Sequence, residues 1–335
     1  MRCNAPLPAS ATRRAMLAAA AAMAAAPLTG TRAADVWPSK PIRLVHAFAA
    51  GSVTDNTGRM LADRLGQSLG QPVVVENRPG ANMIIGSEFA AKQPADGHTM
   101  IIGTCDNMAI NPNVYRNPGY RAADFDPVTL IGPLPMTLLV PADSRFNSLA
   151  DVKAEFARSR KPPTFGTWGV GSFAHMVGEL IRMETGVGLE YVPFQGAAPA
   201  MTALLGGHID MTINGSGAAA DLLADKKAKA LAIGSPVRLP ELPAVPTFAE
   251  LGHPNLRATQ WHGVFVRAGG NKEIIDRLYR EVARALNDAR SREQLMKAGY
   301  SRVDARSPAE FARFIDDEVA LWGRIVKQSG ISAER

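Results

Sequence analysis

Cysteine is nearly absent from this 335-residue chain, which contains only Cys3 and Cys105. Cys3 lies in an N-terminal segment typical of a removable signal, so the remaining chain keeps one thiol and has no partner for an internal disulfide. The six histidines show neither H-E-x-x-H nor another spacing typical of metal ligands, and C-x-x-C is missing too. The sequence therefore predicts neither a disulfide scaffold nor a metal site.

Motifs that would bind nucleotides or activate a nucleophile are also missing. There is no P-loop, and no G-x-G-x-x-G follows the first predicted strand, so no cofactor is expected. No G-x-S-x-G lies at a strand-to-helix turn, where a nucleophile elbow requires it. Catalytic residues can nevertheless assemble in space, and one alternative stays open, a secreted hydrolase that uses Ser172 and His175.

A strong charge of one sign is lacking once the N-terminal segment is set aside. The whole chain has a formal charge of +6, but residues 1–33 hold four arginines and no acidic residue. The rest has 33 Lys and Arg against 31 Asp and Glu. The basic isoelectric point comes largely from the N-terminal segment, so it does not predict a nucleic-acid partner.

The N-terminal segment itself, residues 1–33, is typical of an export signal. Thr12-Arg13-Arg14 precedes the apolar run AMLAAAAAMAAAPL, and Thr31-Arg32-Ala33 offers small residues for cleavage. The run is too short and too rich in alanine for a membrane span. We therefore expect export to the periplasm, by the general or the twin-arginine route. An ordinary N-terminal helix is the alternative.

After this segment the chain alternates short apolar strands with capped helices. Predicted helices begin at caps Thr54 or Asp55, Asn82 and Ser172 and at Pro199, and they run to about 69, 92, 184 and 205. Two more follow Asn271 and the capping box at Ser307, the latter to about Gly330. This rhythm predicts two α/β units with mainly parallel sheets. The predicted strands are 42–48, 72–76, 99–103, one that starts at 164–166, 189–193, 209–213 and 229–234.

Several loops between a strand and a helix consist of small residues. The first, residues 48–54, leaves backbone N–H groups approachable beside a helix start, and Ser52 and Thr54 add hydroxyl groups. Such loops favour an anion, and ligands of open α/β sheets bind at the carboxyl ends of strands. A plain capped turn is the alternative reading of any one loop. Similar loops occur at 79–82, 169–172 and 195–200, and together they predict two walls that receive a small carboxylate.

Some side chains could complete such a site. His175 is a possible donor, although a histidine in the first turn of a helix is commonly neutral and partly exposed. Thr104 follows a strand and offers a short donor, while Asp106 and Asn107 face the cleft or cap the next turn. Trp168 and Trp261 either shape the pocket or belong to the core.

Motifs along the whole chain after the signal resemble the substrate-binding proteins of tripartite tricarboxylate transporters, the Bug receptors. The run VVVENRPGAN, which ends at Asn82, is the most specific of them. The others, in order, are WPSKPIRLV from Trp37, the loop from Gly51 to Asp55, ADGHT from Ala95, AINP from Ala109, VPFQGAAPA from Val192, LLGGHID from Leu204 and LPAVPT from Leu242.

The resemblance implies a two-lobed periplasmic binding protein of type II-like fold. One lobe is expected to combine residues 36–136 with 259–335, and the other to span 137–258. Two crossing segments near Met136–Val140 and Ala258–Phe265 form the expected hinge. The implied function is a monomeric solute receptor that closes on a small organic acid and presents it to membrane transporter subunits or to a sensor kinase.

Two departures from the family pattern concern the ligand. The first loop usually contains Phe-Pro-Pro-Gly-Gly, whereas this chain has Phe48-Ala49-Ala50-Gly51-Ser52, which should loosen the loop and adds a hydroxyl. An Asp-Asn pair is replaced by Asn214-Gly215, which suits a carboxylate or neutral group rather than an amine. The ligand-binding residues expected from the resemblance and the loops are Phe48, Ala50, Gly51, Ser52, Val53, Thr54, Asp55, Asn82, Thr104, Ser172, His175, Gly196, Ala197, Ala198 and Asn214.

Overall fold

Nine strands form one mixed sheet in the computed structural model, which describes residues 37–333. The strand order is β2-β1-β3-β9-β4-β7-β5-β6, and β8 pairs with β4 outside this path. The predicted export signal, residues 1–33, lies outside the described residues. The strands are β1 (Ile42–His46), β2 (Val73–Asn77), β3 (Thr99–Thr104), β4 (Phe125–Pro141), β5 (Thr164–Thr167), β6 (Glu190–Pro193), β7 (Met211–Gly215), β8 (Ala228–Ile233) and β9 (Thr259–Arg267).

Helices flank this sheet. A π-helical turn at Asp106–Ile110 and a 3₁₀ turn at Ala122–Asp124 accompany them. Within residues 37–333 no helix combines the length and apolarity that a membrane crossing requires. The α-helices are α1 (Val53–Leu69), α2 (Ile84–Ala91), α3 (Asn111–Val114), α4 (Leu149–Ser159), α5 (Phe173–Thr185), α6 (Ala197–Leu205), α7 (Ser216–Ala224), α8 (Lys272–Asn287), α9 (Ala289–Lys297) and α10 (Pro308–Ser329).

The long strand β4 divides the sheet into two halves. Its first part, residues 125–135, pairs with β9, and its last part, residues 136–141, pairs with β7 and β8. The halves meet where Met136 donates its N–H to Ala258 O at 2.8 Å and accepts the N–H of Gly234 at 2.8 Å. The two halves are the two lobes of the fold.

Strand direction makes the two halves face each other. In the first half, β2, β1 and β3 run parallel, and β4 runs the same way because both β3 and β4 are antiparallel to β9. In the second half, β5, β6 and β7 are parallel to one another, and β7 is antiparallel to β4. The carboxyl ends of the two parallel trios therefore point toward each other across the junction, where ligands of such sheets bind.

The α/β class with two lobes is confirmed, but the sheet is mixed rather than mainly parallel, since β4 and β9 form only antiparallel pairs. Strand β4 is hard to recognise because it contains prolines, among them Pro127, Pro133 and Pro135. Among residues 37–333 no strand pairs with its first part on the side opposite β9, where the segment 301–306 hydrogen-bonds to it instead. A missing N–H is tolerated on such an edge.

Several helix boundaries follow the predicted caps. Ser172 caps α5 and Gly186 ends it, Asn271 caps α8, and Gly70 ends α1. The capping box of α10 is formed by Ser307 and Glu310, and Gly330 ends that helix in the left-handed conformation. Local hydrogen-bonding chemistry was sufficient to place these ends.

Three predicted helix starts were wrong. Helix α1 begins at Val53 and is capped by Ser52, not by Thr54 or Asp55. Helix α2 begins at Ile84, and Asn82 does not cap it, because residues 81–83 all have left-handed φ angles. Helix α6 begins at Ala197, two residues before Pro199, so that the proline occupies its third position.

Candidate functional site

The loop after β1 is open to solvent at its tip. Residues 49–51 are exposed, while Phe48, Ser52 and Val53 are half-buried and Thr54 is buried. Gly51 adopts a left-handed φ of 83°, which turns the chain into α1. The ring of Phe48 lies 5.3 Å from the ring of His46 and 6.5 Å from that of His262.

Backbone N–H groups in this loop are available to a ligand. The N–H groups of Ala50, Val53 and Thr54 donate to no other group among the described residues. Ser52 Oγ is occupied, because it accepts the N–H of Asp55 at 3.1 Å. Free N–H groups at the start of a helix carry partial positive charge, so they can bind a carboxylate.

Asp55 supports this loop from beneath and is only 1% exposed. Its Oδ2 accepts the N–H of Gly51 and Nε of Arg59, both at 2.9 Å, and its Oδ1 accepts Nδ2 of Asn77 at 2.8 Å. Burial by itself would raise the pKa of Asp55, but these hydrogen bonds lower it to about 2. Asp55 is therefore an anion that fixes the loop, and the protein already supplies its partners.

Asn77, at the end of β2, joins this support to the strand below. Its Nδ2 lies 3.2 Å from Phe48 O and 3.3 Å from Nδ1 of His46, in addition to its bond with Asp55. His46 is fully buried, and burial lowers its pKa to about 4. The histidine is therefore neutral at neutral pH and adds no charge beside the Asp55–Arg59 ion pair.

The second loop of this half contains three successive left-handed residues, Ala81, Asn82 and Met83. Asn82 is half-buried and linked to Asn111 in both directions. Its Nδ2 donates to Asn111 Oδ1 at 2.9 Å, and Asn111 Nδ2 donates to Asn82 O at 2.6 Å. Left-handed φ angles strain the backbone of residues other than glycine, and such backbone strain is common at ligand sites.

Thr104, at the end of β3, is fully buried. Its N–H donates to Asn107 Oδ1 at 2.8 Å, and its Oγ1 accepts the N–H of Asp106 at 3.1 Å. The structure therefore places Thr104 inside the turn after β3, where it organises Asp106 and Asn107 and is screened from solvent.

Asp106 connects the two halves. Its Oδ1 accepts the N–H of Phe173, the first residue of α5, at 2.7 Å, and its Oδ2 accepts Nε2 of Gln260 at 2.6 Å. Burial raises the pKa of Asp106, against hydrogen bonds that lower it. The N-terminus of α5, predicted as an anion site, already holds a carboxylate from the opposite half.

Ser172 and His175 lie beside this contact but do not pair with each other through their side chains. Ser172 Oγ accepts the N–H groups of Trp168 at 3.2 Å and His175 at 3.3 Å. His175 Nδ1 accepts the N–H of Gly171 at 3.1 Å. Burial lowers the pKa of His175, so its ring is neutral. The nucleophile–base contact that a hydrolase requires is not among the hydrogen bonds of the described residues.

The start of α6 differs from the start of α5. Gly196 precedes it with φ of 113° and ψ of −179°, and it offers no side-chain cap. Gly196 and Ala197 are half-buried, and Ala198 is exposed. Within residues 37–333 the N–H groups of Ala197 and Ala198 have no acceptor. This helix start is open to an anionic ligand.

Asn214 lies next to the junction, opposite Thr137 of β4. It is half-buried, and its Oδ1 accepts the N–H of Gly215 at 2.9 Å. Its Nδ2 donates to no other described group, so it can point a donor at a ligand. No group of three or more His, Cys, Asp or Glu in the described part of the chain could hold a metal ion.

Further contacts join the halves beside α5. Tyr115 Oη donates to Val170 O at 3.0 Å, and the rings of Phe173 and Trp322 lie 5.5 Å apart. Neither Asn77 nor Tyr115 was expected to support the site. Asn77 lies within the run VVVENRPGAN, but the run alone assigns it no contact, and Tyr115 lies in none of the motifs. Trp261 does not line the loops, because its ring packs with Phe311 and Phe314 of α10.

Comparisons with known proteins agree with this geometry. A family model described as tripartite tricarboxylate transporter family receptor matches residues 57–331. The protein BugT of Bordetella pertussis is 33% identical over 310 residues, which cover 92% of this chain and 95% of BugT. A UPF0065 protein encoded between tcbD and tcbE in Pseudomonas sp. strain P51 is 32% identical over 325 residues, 96% of each chain.

Solved structures give the same result. R. palustris Rpa4515 with adipate is 34% identical, covers 89% of this chain and 100% of its own, and has a TM-score of 0.82. MatC of Rhodopseudomonas palustris with bound malate is 28% identical with a TM-score of 0.79, covering 87% of this chain and 100% of its own. The periplasmic binding protein BugD is 29% identical with a TM-score of 0.80, covering 89% and 100%. The chain belongs to the tripartite tricarboxylate transporter receptor family.

Proposed function

We propose that this protein is a periplasmic receptor that binds a small carboxylate between its lobes and closes on it. The observation that carries the proposal is the facing pair of open helix starts, α1 in one half and α6 in the other, with free N–H groups at Val53, Thr54 and Ala197. In this proposal one lobe is 36–136 with 259–335, and the other is 137–258. A ligand that spans both starts stabilises the closed form.

Relatives support a dicarboxylate of short or medium length as the ligand. Rpa4515 was solved with adipate and MatC with malate. Asn214 contributes an amide donor rather than a negative charge, which suits a second carboxylate or a neutral polar group. The ligand is released unchanged, since Ser172 and His175 lack the contact that nucleophilic attack would use.

The same proposal includes export and delivery. The N-terminal signal directs the chain to the periplasm, and the closed receptor presents its ligand to membrane subunits of a tripartite transporter or to a sensor kinase. Known periplasmic binding proteins among the relatives support this location.

The test combines thermal shift and isothermal titration of the chain without residues 1–33. In a panel of mono-, di- and tricarboxylates, one class should raise the melting temperature of the protein. NMR of the ligand after incubation should show it chemically unchanged. Ala197→Leu should weaken its binding at least tenfold by crowding the start of α6. Thr202→Leu, exposed on the same helix, is the control. Stabilisation by no carboxylate, or conversion of the ligand, would contradict the proposal.

A further inference from the structure

A cavity lies between α10 of one half and the segment 234–257 of the other. It has a volume of about 310 Å³, in the range that holds small organic ligands. Among the described residues that line it, none belongs to the loops of the carboxylate site. Trp261 and Phe314 on one side and Phe248 and Leu256 on the other give it apolar walls.

Glu318 of α10 presents an unused acceptor to this cavity. Its Oε2 accepts both indole N–H groups, from Trp261 at 2.8 Å and from Trp322 at 3.0 Å. No described residue donates to its Oε1. Burial raises the pKa of Glu318, whereas the charge of Arg257 opposes this rise. A donor brought by a ligand would complete the hydrogen bonding of this carboxylate.

Arg257 presents an unused cation to the same cavity. It is exposed and has no ion pair or hydrogen bond with another described residue. The other two lining arginines are already engaged, since Arg302 and Arg306 both bind Asp304, at 3.0 and 2.9 Å. The cavity thus combines one available carboxylate oxygen with one available guanidinium group.

We propose that this cavity binds a zwitterionic α-amino acid with an apolar side chain. The ammonium group donates to Glu318, the carboxylate accepts from Arg257, and the side chain packs against Trp261 and Phe314. A simple carboxylate would bind Arg257 but be repelled by Glu318. A simple amine would bind Glu318 but be repelled by Arg257. A ligand that carries both charges satisfies both groups.

This site is coupled to the carboxylate site, and the coupling rests on the proposed function. The cavity is lined from both halves and from the crossing segment next to Ala258, so its shape changes when the lobes rotate about that segment. An occupant that fits one arrangement better shifts the lobes toward it. By linkage, the carboxylate then changes amino-acid affinity by the same factor.

The test is isothermal titration of the purified protein with L-leucine and L-phenylalanine. The N-acetyl forms, which lack the ammonium, and the amides, which lack the carboxylate, should bind at least tenfold more weakly. Glu318→Gln and Arg257→Gln should each cause a similar loss. Asp316→Asn, an exposed carboxylate on the same helix, should leave the affinity unchanged.

Three results would overturn the proposal: no binding to the unaltered protein at millimolar concentration, affinity retained in both Glu318→Gln and Arg257→Gln, or affinity lost instead in Ala197→Leu. Arg257 is exposed, so its variant remains informative even where Glu318→Gln disturbs folding. Carboxylate binding that persists in Glu318→Gln separates this site from the loops. If the protein binds amino acids but none of the simple carboxylates, the proposed function is wrong and the amino-acid site is still supported.

Discussion

At the scale of single residues, the loop after β1 depends on one buried carboxylate. Asp55 holds the loop backbone through Gly51, the helix through Arg59 and strand β2 through Asn77. A charged acceptor binds these donors more strongly than a neutral one. The shape that offers free N–H groups to a ligand is therefore set by a residue that the ligand does not need to touch.

We expect Asp55→Asn to lower both stability and carboxylate affinity. The new amide donor faces Arg59 or Gly51, so at least one charged hydrogen bond is lost, which costs about 1.5–3 kcal/mol of unfolding free energy. Urea unfolding and titration with the carboxylate measure the two effects. Asp63→Asn, exposed on the same helix, is the control. Unchanged affinity in Asp55→Asn would contradict a role in shaping the loop.

Buried histidines make stability depend on pH, His46 and His262 most strongly, with His175 acting in the same direction. Burial lowers the pKa of His46 to about 4 and that of His262 to about 3, whereas both titrate near 6.5 when unfolded. As pH falls from 6.5 toward 4, these histidines bind protons in the unfolded chain but stay neutral in the folded protein. The unfolding free energy should fall by up to about 1.4 kcal/mol per pH unit for each histidine.

Urea unfolding between pH 7.5 and 4.5 measures this slope. Asp55 raises the pKa of His46 and Arg59 lowers it, and Asp55 itself loses its contribution only below about pH 4. His46→Gln should reduce the slope, and the exposed His208→Gln should not. A flat profile across this range would show that these histidines are not buried neutral.

At the scale of elements, helix starts that look alike in sequence have different roles. The start of α5 is taken by Asp106, while the start of α6 has no partner among the described residues. Both follow a parallel strand and contain small residues. Only the first is filled by the protein, so we assign anion binding in the second lobe to α6.

Gly196→Ala should weaken carboxylate binding. Its φ of 113° with an extended ψ is accessible almost only to glycine, and forcing alanine into it costs about 1–3 kcal/mol or moves the helix start. Gly269→Ala is the matched control, since Gly269 also has positive φ, 88°, and open space around its Cα. Both variants should lose stability in urea, but only Gly196→Ala should lose affinity. If Gly196→Ala and Gly269→Ala bind the carboxylate with equal affinity, the anion does not bind at the start of α6.

At the scale of the whole molecule, the two halves are joined by chain crossings that pack closely. Gly234, Met136 and Ala258 meet there through backbone hydrogen bonds. A Cβ on Gly234 would overlap the carbonyl oxygen of Ala258. In the proposed function the lobes rotate about this contact, so its packing should influence both stability and closure.

We expect Gly234→Ala to cost about 1–3 kcal/mol through overpacking and to change ligand affinity by altering the angle between the lobes. Urea unfolding gives the first effect, and small-angle scattering with and without carboxylate gives the second. Gly66→Ala in α1 is the control, because its φ is not left-handed and an added Cβ would meet no atom closer than 3.7 Å. A variant as stable as the unaltered protein and equally able to close would contradict this account.

Much of the fold and part of the site could be predicted from local pattern. The strand–helix alternation, the caps Ser172 and Asn271 and the open loop at 49–51 depend on neighbouring residues only. The antiparallel strands β4 and β9 escaped prediction because proline hides one and partners distant in sequence define both. The roles of Asn77 and Asp106 depend on contacts across 22 and 67 positions.

The sequence by itself determined two α/β units, their capped helices and their small-residue loops, because helix caps, glycine turns and apolar periodicity act over a few residues. Motifs along the chain also determined its family. Tertiary structure alone decided which helix start has free N–H groups and that Asp55 is buried beneath the loop after β1. It also decided that Glu318 and Arg257 line the same cavity. Those outcomes depend on long-range register, which brings together residues that no local pattern connects.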